Sequence, residues 1–317
     1  MLVPAAIRPF DLLQRTTLTA ERERELAARA EHALSFAIGE QAVCVRFSQA
    51  SSVRDFERRY ADMLVAGGPT PYVAYAVESA DETHFWMERD AVWCHAGSRP
   101  DDAYVGFCVD VVACNEYLRR SHDAGFHAAV VASQRAAAAI LGASTAGKST
   151  TAIACVGAGL RLYSDERCIV QAGRVVPFLR QITLRRGGRG LLADDACACD
   201  RRMRSLLASW TAHEEVVFAP SEFAPGQVGG APLPLACAFV LDGIGDAPRL
   251  EPAGAGDVAP AMLASMMSQE SGLDRLARLL GILRGVTLYR LQLGAPGDTA
   301  RVISETLLRD ERRSFAR

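Results

Sequence analysis

Gly142, Ala143, Ser144, Thr145, Ala146, Gly147, Lys148 and Ser149 satisfy the pattern G-x-x-x-x-G-K-S/T in full, with Thr150 directly after. Each residue type has a reason to be there. Glycines let backbone N–H groups converge on phosphate oxygens, a lysine at this place bridges the outer phosphates, and the hydroxyl after it coordinates Mg²⁺. A helix starting at the lysine would point its partial positive charge at the same anion. The run therefore predicts a cradle for ATP with Mg²⁺, and the plain alternative is a glycine-rich turn that binds nothing. Ser164-Asp165-Glu166 follows the apolar run Leu160-Arg-Leu-Tyr163, which places two carboxylates at the C-terminal end of a strand. Strand ends of this kind face the ligand in α/β folds. One carboxylate can take a proton from an attacking hydroxyl while the other serves Mg²⁺; the alternative is a β-turn opened by Ser and Asp.

Weaker candidates surround these. His127 stands at the start of an apolar strand feeding the loop. Arg180, Arg185, Arg186 and Arg189 straddle a strand and a glycine-rich turn, and their forked donors suit an anionic acceptor as well as they suit water. Asp242 ends an apolar run, where an acid can hold Mg²⁺ through water, although a turn residue before Gly243 fits better. Cys197 and Cys199 lack a second pair at metal spacing, so incidental thiols are favoured over a metal or redox site. His84, His95, Trp86 and Trp93 could line a pocket, but aromatic residues alternating along strands belong more often to a core.

The elements that must position these groups can be read from periodicity. Ala128-Ala-Val-Val-Ala132 and Ala136-Ala-Ala-Ala-Ile-Leu141, parted by Ser133-Gln-Arg135, form a hairpin that enters a buried strand, and Thr150 to Cys155 continues as a helix. Further strands are expected at 160–163, 168–171, 175–178, 182–184, 235–241 and 286–291, and helices at 261–283, broken near Ser271-Gly272, and at 298–308. Gln269 and Glu270 could belong to a lid. Thr19 to Leu34 reads as a solvated helix with alternating charges, and residues 42–110 read as short β-type runs between glycine and proline clusters, with a helical bridge from Val111 to His122. The expectation is α/β (α+β) in two domains: a smaller N-terminal α+β domain at 1–124 for substrate recognition or regulation, and a nucleotide-binding domain with a mixed sheet at 125–317.

The chain of 317 residues carries 35 basic and 37 acidic side chains, and half of its residues are hydrophobic. Such a balance excludes an electrostatic nucleic-acid surface and a disordered acidic tail. Nine scattered cysteines suit a reduced compartment. No basic-plus-apolar signal region opens the chain and no apolar run nears the roughly 18–20 residues that span a bilayer. A cytoplasmic protein without membrane or nucleic-acid partner is expected; a homo-oligomer is compatible with the composition.

Three elements in order, His127-Ala-Ala with its hairpin, the Gly142–Ser149 loop and Gly159-Leu-Arg-Leu-Tyr-Ser-Asp-Glu166, resemble the bacterial HPr serine kinase/phosphorylase family and its related kinases, including those found with lasso-peptide biosynthesis. The resemblance covers about residues 125–295. It implies a fold similar to phosphoenolpyruvate carboxykinase, with Lys148 on the β/γ-phosphates, Ser149 on Mg²⁺, His127 near the transferred group and Asp165 as the base that accepts the substrate serine's proton. Glu166 stands where the family has a second aspartate and can serve the metal. The family's acidic metal ligand, two residues before an Arg-Gly pair, is Leu184 here, and the N-terminal domain matches no regulatory-domain motif. The acceptor implied is accordingly a serine-type hydroxyl on a peptide, protein or small molecule other than HPr. The rival is a catalytically weak nucleotide-binding regulatory or scaffold module.

Overall fold

The computed structural model describes residues 14–66, 72–79, 82–88, 92–96, 113–114, 117–118, 124–210, 214–267 and 272–315. The chain divides into two compact units, Met1–Ser121 and His122–Arg317.

The first unit runs β1 (Gln14–Thr16), α1 (Ala20–Ala28), β2 (His32–Ile38), β3 (Gln41–Phe47), α2 (Ala50–Arg59), β4 (Tyr72–Glu78), β5 (Glu82–Met87) and β6 (Val92–Ala96). These strands make a six-stranded sheet in the order β1-β6-β5-β4-β3-β2. Thr19 caps α1 by accepting from the Arg22 amide, but the helix ends at Ala28 and not at Leu34. From Leu34 the apolar residues alternate, and Phe36 and Ile38 turn inward as a strand requires. Sequence periodicity also missed α2. It supplies the crossover that parallel β3 and β4 need, and its Phe56 and Tyr60 pack on Phe36 of the sheet. On the other face Trp86 stacks on Tyr75 and is buried with Leu26, Ala30 and Val77. His84 is buried too, so these two rings are core. The side chains of Trp93 and His95 lie outside the described residues, as do Gln269, Glu270 and most of the expected bridge at 111–122.

The second unit continues with β7 (Ala124–Phe126), β8 (Ala129–Ala132), β9 (Ala137–Leu141), α3 (Lys148–Gly157), β10 (Arg161–Ser164), β11 (Cys168–Gln171), β12 (Arg174–Val176), β13 (Ile182–Arg185), α4 (Arg186–Asp194), α5 (Arg201–Ser209), β14 (Glu215–Phe218), α6 (Pro220–Phe223), β15 (Leu233–Ile244), β16 (Arg249–Pro252), α7 (Ala255–Ser265), α8 (Gly272–Leu283), β17 (Thr287–Leu293) and α9 (Pro296–Phe315). Its nine-stranded mixed sheet has the order β10-β8-β9-β15-β12-β11-β7, with β17 also on β15 and β16 on β17. β8 and β9 form the expected antiparallel hairpin, whereas β15 runs parallel to both β9 and β17.

β9 shows why its residues are apolar and mostly small. Ala138 and Ile140 face one core with Ile153 of α3 and Ile303 and Leu307 of α9, while Ala137, Ala139 and Leu141 face a second core with Val258 and Met262 of α7 and Leu279 of α8. A strand covered on both faces reads as a continuous hydrophobic run, and alanine lets helices approach closely.

One expectation is corrected at 186–194, where the glycine-rich turn is the helix α4. Its Leu192 enters the first core, and a Cβ on Gly188 would lie 2.3 Å from the Thr150 hydroxyl oxygen. Tertiary packing holds the helix despite its glycines, because burial of one face outweighs intrinsic propensity.

Candidate functional site

β9 delivers the chain to the loop at Gly142 and α3 takes it up at Lys148. Gly147 has φ +99°, and a Cβ there would sit 2.9 Å from the Leu293 Cδ1 of β17. The backbone conformation favours glycine, and a larger residue would also have to push the end of the Leu293 side chain aside. A Cβ on Gly142 would lie 3.1 Å from the Cβ of Leu241 and 3.2 Å from that of Ala146. The crest, Ala143, Ser144 and Thr145, is exposed, and no side chain caps the first turn of α3. Its unsatisfied amides are a ready anion site.

Lys148 is buried, with its Nζ donating to the carbonyls of Gly142 at 2.9 Å and Ala143 at 3.0 Å. Burial pushes its pKa down, against the opposing charges of Glu166 and Asp165. One residue on, the Ser149 hydroxyl donates to Asp165 Oδ2 at 3.0 Å.

Asp165 and Glu166 leave the end of β10 in a turn fixed by Ser164, whose Oγ accepts from the amides of Glu166 at 3.3 Å and Arg167 at 2.9 Å. Asp165 is buried, and among the described residues its Oδ1 has no hydrogen-bond partner. Burial first, then the charge of Glu166, pushes its carboxyl up to about 7, in spite of the Ser149 hydrogen bond and the charges of Lys148 and Arg180. Glu166 goes the other way. Burial would raise it, but the hydrogen bond from His127 and the charges of Arg180 and Arg167 outweigh that and hold it below the usual carboxylate range. His127 Nε2 lies 3.1 Å from Glu166 Oε2, and its amide donates to the Ser265 carbonyl at 2.7 Å. The environments of these two adjacent carboxylates thus drive their ionisation apart, which makes the pair a candidate for acid–base chemistry.

The site therefore brings together Lys148, Ser149, Asp165, Glu166 and His127. Among the described residues no group of three His, Cys, Asp or Glu could hold a metal ion. Mg²⁺ does not need one, since it is bound through one or two protein oxygens plus phosphate oxygens and waters. The Ser149 hydroxyl and the Glu166 carboxylate, kept ionised by its neighbours, are hard oxygens of the type that fits such a cation.

Of the other candidates Arg180 is buried and stays with the centre, its charge acting on both Asp165 and Glu166; the rest separate from it. Arg185 pairs with Glu215 at 3.0 Å and Arg186 with Glu214 at 3.1 Å, both on the surface, and Arg189 is buried in α4. Asp242 lies inside β15, not in a turn, and pairs with Arg290. Leu184 is core. Cys197 is exposed and Cys199 buried, its thiol pushed up to about 12 mainly by burial. Their turn is held by Asp195, which accepts from the amides of Cys197 and Gly297. The turn opened by Ser164 and Asp165 is the one the sequence offered as the plain alternative, here combined with the site; sequence reasoning passed over Arg167, whose charge acts on Glu166.

No protein-family model matches the chain. No curated protein matches it. Among solved structures it is similar to the Hpr(Ser) kinase/phosphatase from Coxiella burnetii, at 13% identity and a TM-score of 0.28, over 61% of this chain and 99% of that one. A likeness of that size fixes neither fold nor activity.

Proposed function

We propose that the chain is an ATP- and Mg²⁺-dependent P-loop kinase that transfers the γ-phosphoryl group to a serine-type hydroxyl of a peptide, protein or small molecule, a relative of the HPr serine kinases with a different acceptor. The observation that carries this reading is Asp165: buried, bound to the Ser149 hydroxyl through one oxygen and, among the described residues, to nothing through the other. Lys148 and the loop amides from Gly142 to Thr150 orient the phosphates. Ser149 and Glu166 hold Mg²⁺, which when bound neutralises charge on the phosphates. Asp165 accepts the acceptor's hydroxyl proton, and a carboxyl titrating near neutrality suits a general base. His127, steadied by Glu166, lies beside the group in transfer.

In this reading Lys148 must leave the two loop carbonyls it now holds and take phosphate oxygens in their place. The exchange trades neutral acceptors for charged ones, which bind an ammonium roughly twice as strongly. The rival, a nucleotide-binding regulatory or scaffold module without transfer, is favoured by Leu184, a core side chain where the resembling family has a metal-ligating acid.

The test is single-turnover transfer from γ-labelled ATP to a panel of hydroxyl acceptors. Asp165→Asn is expected to lower transfer by about 10²–10⁴-fold, the usual worth of a general base, while ATP binding stays nearly intact. Transfer at the wild-type rate in that variant removes Asp165 from the chemistry. ATP binding with no label in any acceptor and no released phosphate favours the scaffold module.

A further inference from the structure

Three parallel strands, β9, β15 and β17, end at one rim: Leu141 is in register with Val240, Leu241 with Leu291, and Ile244 with Leu293. The phosphate loop rests on the other two strand ends. The Cβ position of Gly142 meets Leu241 and that of Gly147 meets Leu293. Just there β15 is irregular: its register with β17 shifts between Leu241 and Ile244, and Gly243 has φ +90°. Bulges of this kind re-aim side chains beside binding sites.

What the bulge re-aims is unusual. Ile244, the β-branched last residue of β15, is 78% exposed, while its register partner Leu293 is buried against the loop. Asp242 and Arg290 form an exposed ion pair at the same rim. An apolar surface with a polar pair beside it thus adjoins the loop. The rim of β17 lies about two strand spacings, roughly 10 Å, from the loop strand.

The sheet order says what can reach it. Asp165 follows β10, on one side of β9, because the order is β10-β8-β9-β15. If Asp165 is the base, the transferred phosphoryl group lies on that side. The rim on the other side of the loop, over β15 and β17, is then the side away from the transferred group, where the rest of the nucleotide can lie.

We infer that Ile244, Asp242 and Arg290 form the nucleobase subsite of this loop, and that it takes an amino-bearing purine. One face of the base lies on Ile244, and its exocyclic amino group donates to the Asp242 carboxylate, whose charge Arg290 balances. The inference rests on the phosphate-loop reading above, and the experiment separates the two. Affinities of Mg·ATP, Mg·ITP, which lacks the amino group, and Mg·tripolyphosphate, which lacks the nucleoside, are measured by calorimetry on the full chain. The variants are Ile244→Ser and Asp242→Ala, both at exposed positions.

Wild type is expected to bind ATP about tenfold more tightly than tripolyphosphate, and Ile244→Ser to lose about tenfold for ATP with tripolyphosphate unchanged, the scale of one exposed aliphatic contact. Asp242→Ala is expected to bind ATP and ITP equally, where wild type prefers ATP severalfold. Unchanged ATP affinity in Ile244→Ser, or an equal loss for ATP and tripolyphosphate, overturns the subsite. An ATP preference that survives Asp242→Ala removes the amino contact. If wild type binds neither ATP nor tripolyphosphate, the phosphate-loop reading itself fails and takes the rim with it.

Discussion

Among the described residues of the second unit two carboxylates, Asp165 and Asp310, are buried, and they are treated in opposite ways. Asp310 of α9 is 1% exposed and answered: Tyr289 donates to it at 2.8 Å, and Arg309 and Arg313 stand 3.5 Å and 3.8 Å away. Asp165 is 5% exposed, has one hydroxyl donor and a bare oxygen, and carries a like charge at the next residue. Burial alone does not separate a structural carboxylate from a chemical one. Between these two carboxylates satisfaction is the difference, because an unanswered buried acceptor costs about 1–3 kcal/mol and calls for an explanation. Asp310 fastens α9 to β17; Asp165 is the carboxylate that the proposed function uses.

The largest expected effect on stability tests the unanswered member. Its folded-state pKa of about 7 lies above the ordinary aspartate value. Between those two values the folded state holds a proton that the unfolded state has released, so folding stability falls as pH rises from about 4 to about 7 and then levels off. The penalty at pH 8 is on the order of 3–4 kcal/mol. Asp165→Asn carries no such penalty. Urea melts are expected to show the variant more stable than wild type at pH 8, with the gap closing by about pH 4–5. A gap that does not change with pH would mean that the carboxylate is not strained by its burial. Under the proposed function the same substitution is expected to lower transfer, which would make the site one that trades stability for activity.

Asp310→Ala is expected to move stability the other way, by about 2–3 kcal/mol at neutral pH, because the Tyr289 hydroxyl loses its acceptor inside the core. The arginines contribute less, being half exposed or more. ATP affinity is expected to stay within a factor of about two, as for an independent site. A stability loss below about 0.5 kcal/mol would erase the contrast between the two carboxylates.

The same contrast explains what could be read in the sequence. Gly142 to Ser149 and the Ser164-Asp165-Glu166 turn were legible because each residue type is dictated locally, by a φ angle, a helix start or a short turn. β8, β9 and β15 were legible because strands covered on both faces must be apolar throughout. The break between α7 and α8 and the final strand and helix followed from periodicity in the same way. α2 and α4 were not legible, since what stabilises them lies far off in the chain: Phe56 needs Phe36 of the sheet, and Gly188 needs Thr150 of α3. Nor could the sequence say that Asp165 reaches Ser149 while Glu166 turns to His127. Two adjacent carboxylates look alike until the fold gives each a different neighbour.

The smallest expected effect lies at Gly188, and it asks whether the strained site also depends on packing from behind. α4 approaches the first turn of α3 so closely that only a hydrogen fits between Gly188 and the Thr150 oxygen. In Gly188→Ala two terms oppose each other. Alanine favours a helix interior by about 1 kcal/mol over glycine, and overpacking a tight contact costs about 1–3 kcal/mol. The net change in stability is expected to be about 0–2 kcal/mol of loss. Relief of the contact must displace Thr150, and with it the adjacent Ser149 that donates to Asp165. ATP affinity should therefore fall severalfold while the Asp310 region is untouched. Adding Thr150→Ala removes the obstructing atom and is expected to restore both stability and affinity, leaving the helix-propensity gain. Failure of the double variant to recover would place the cost of alanine in the α4 backbone and not in its contact with the phosphate-loop helix.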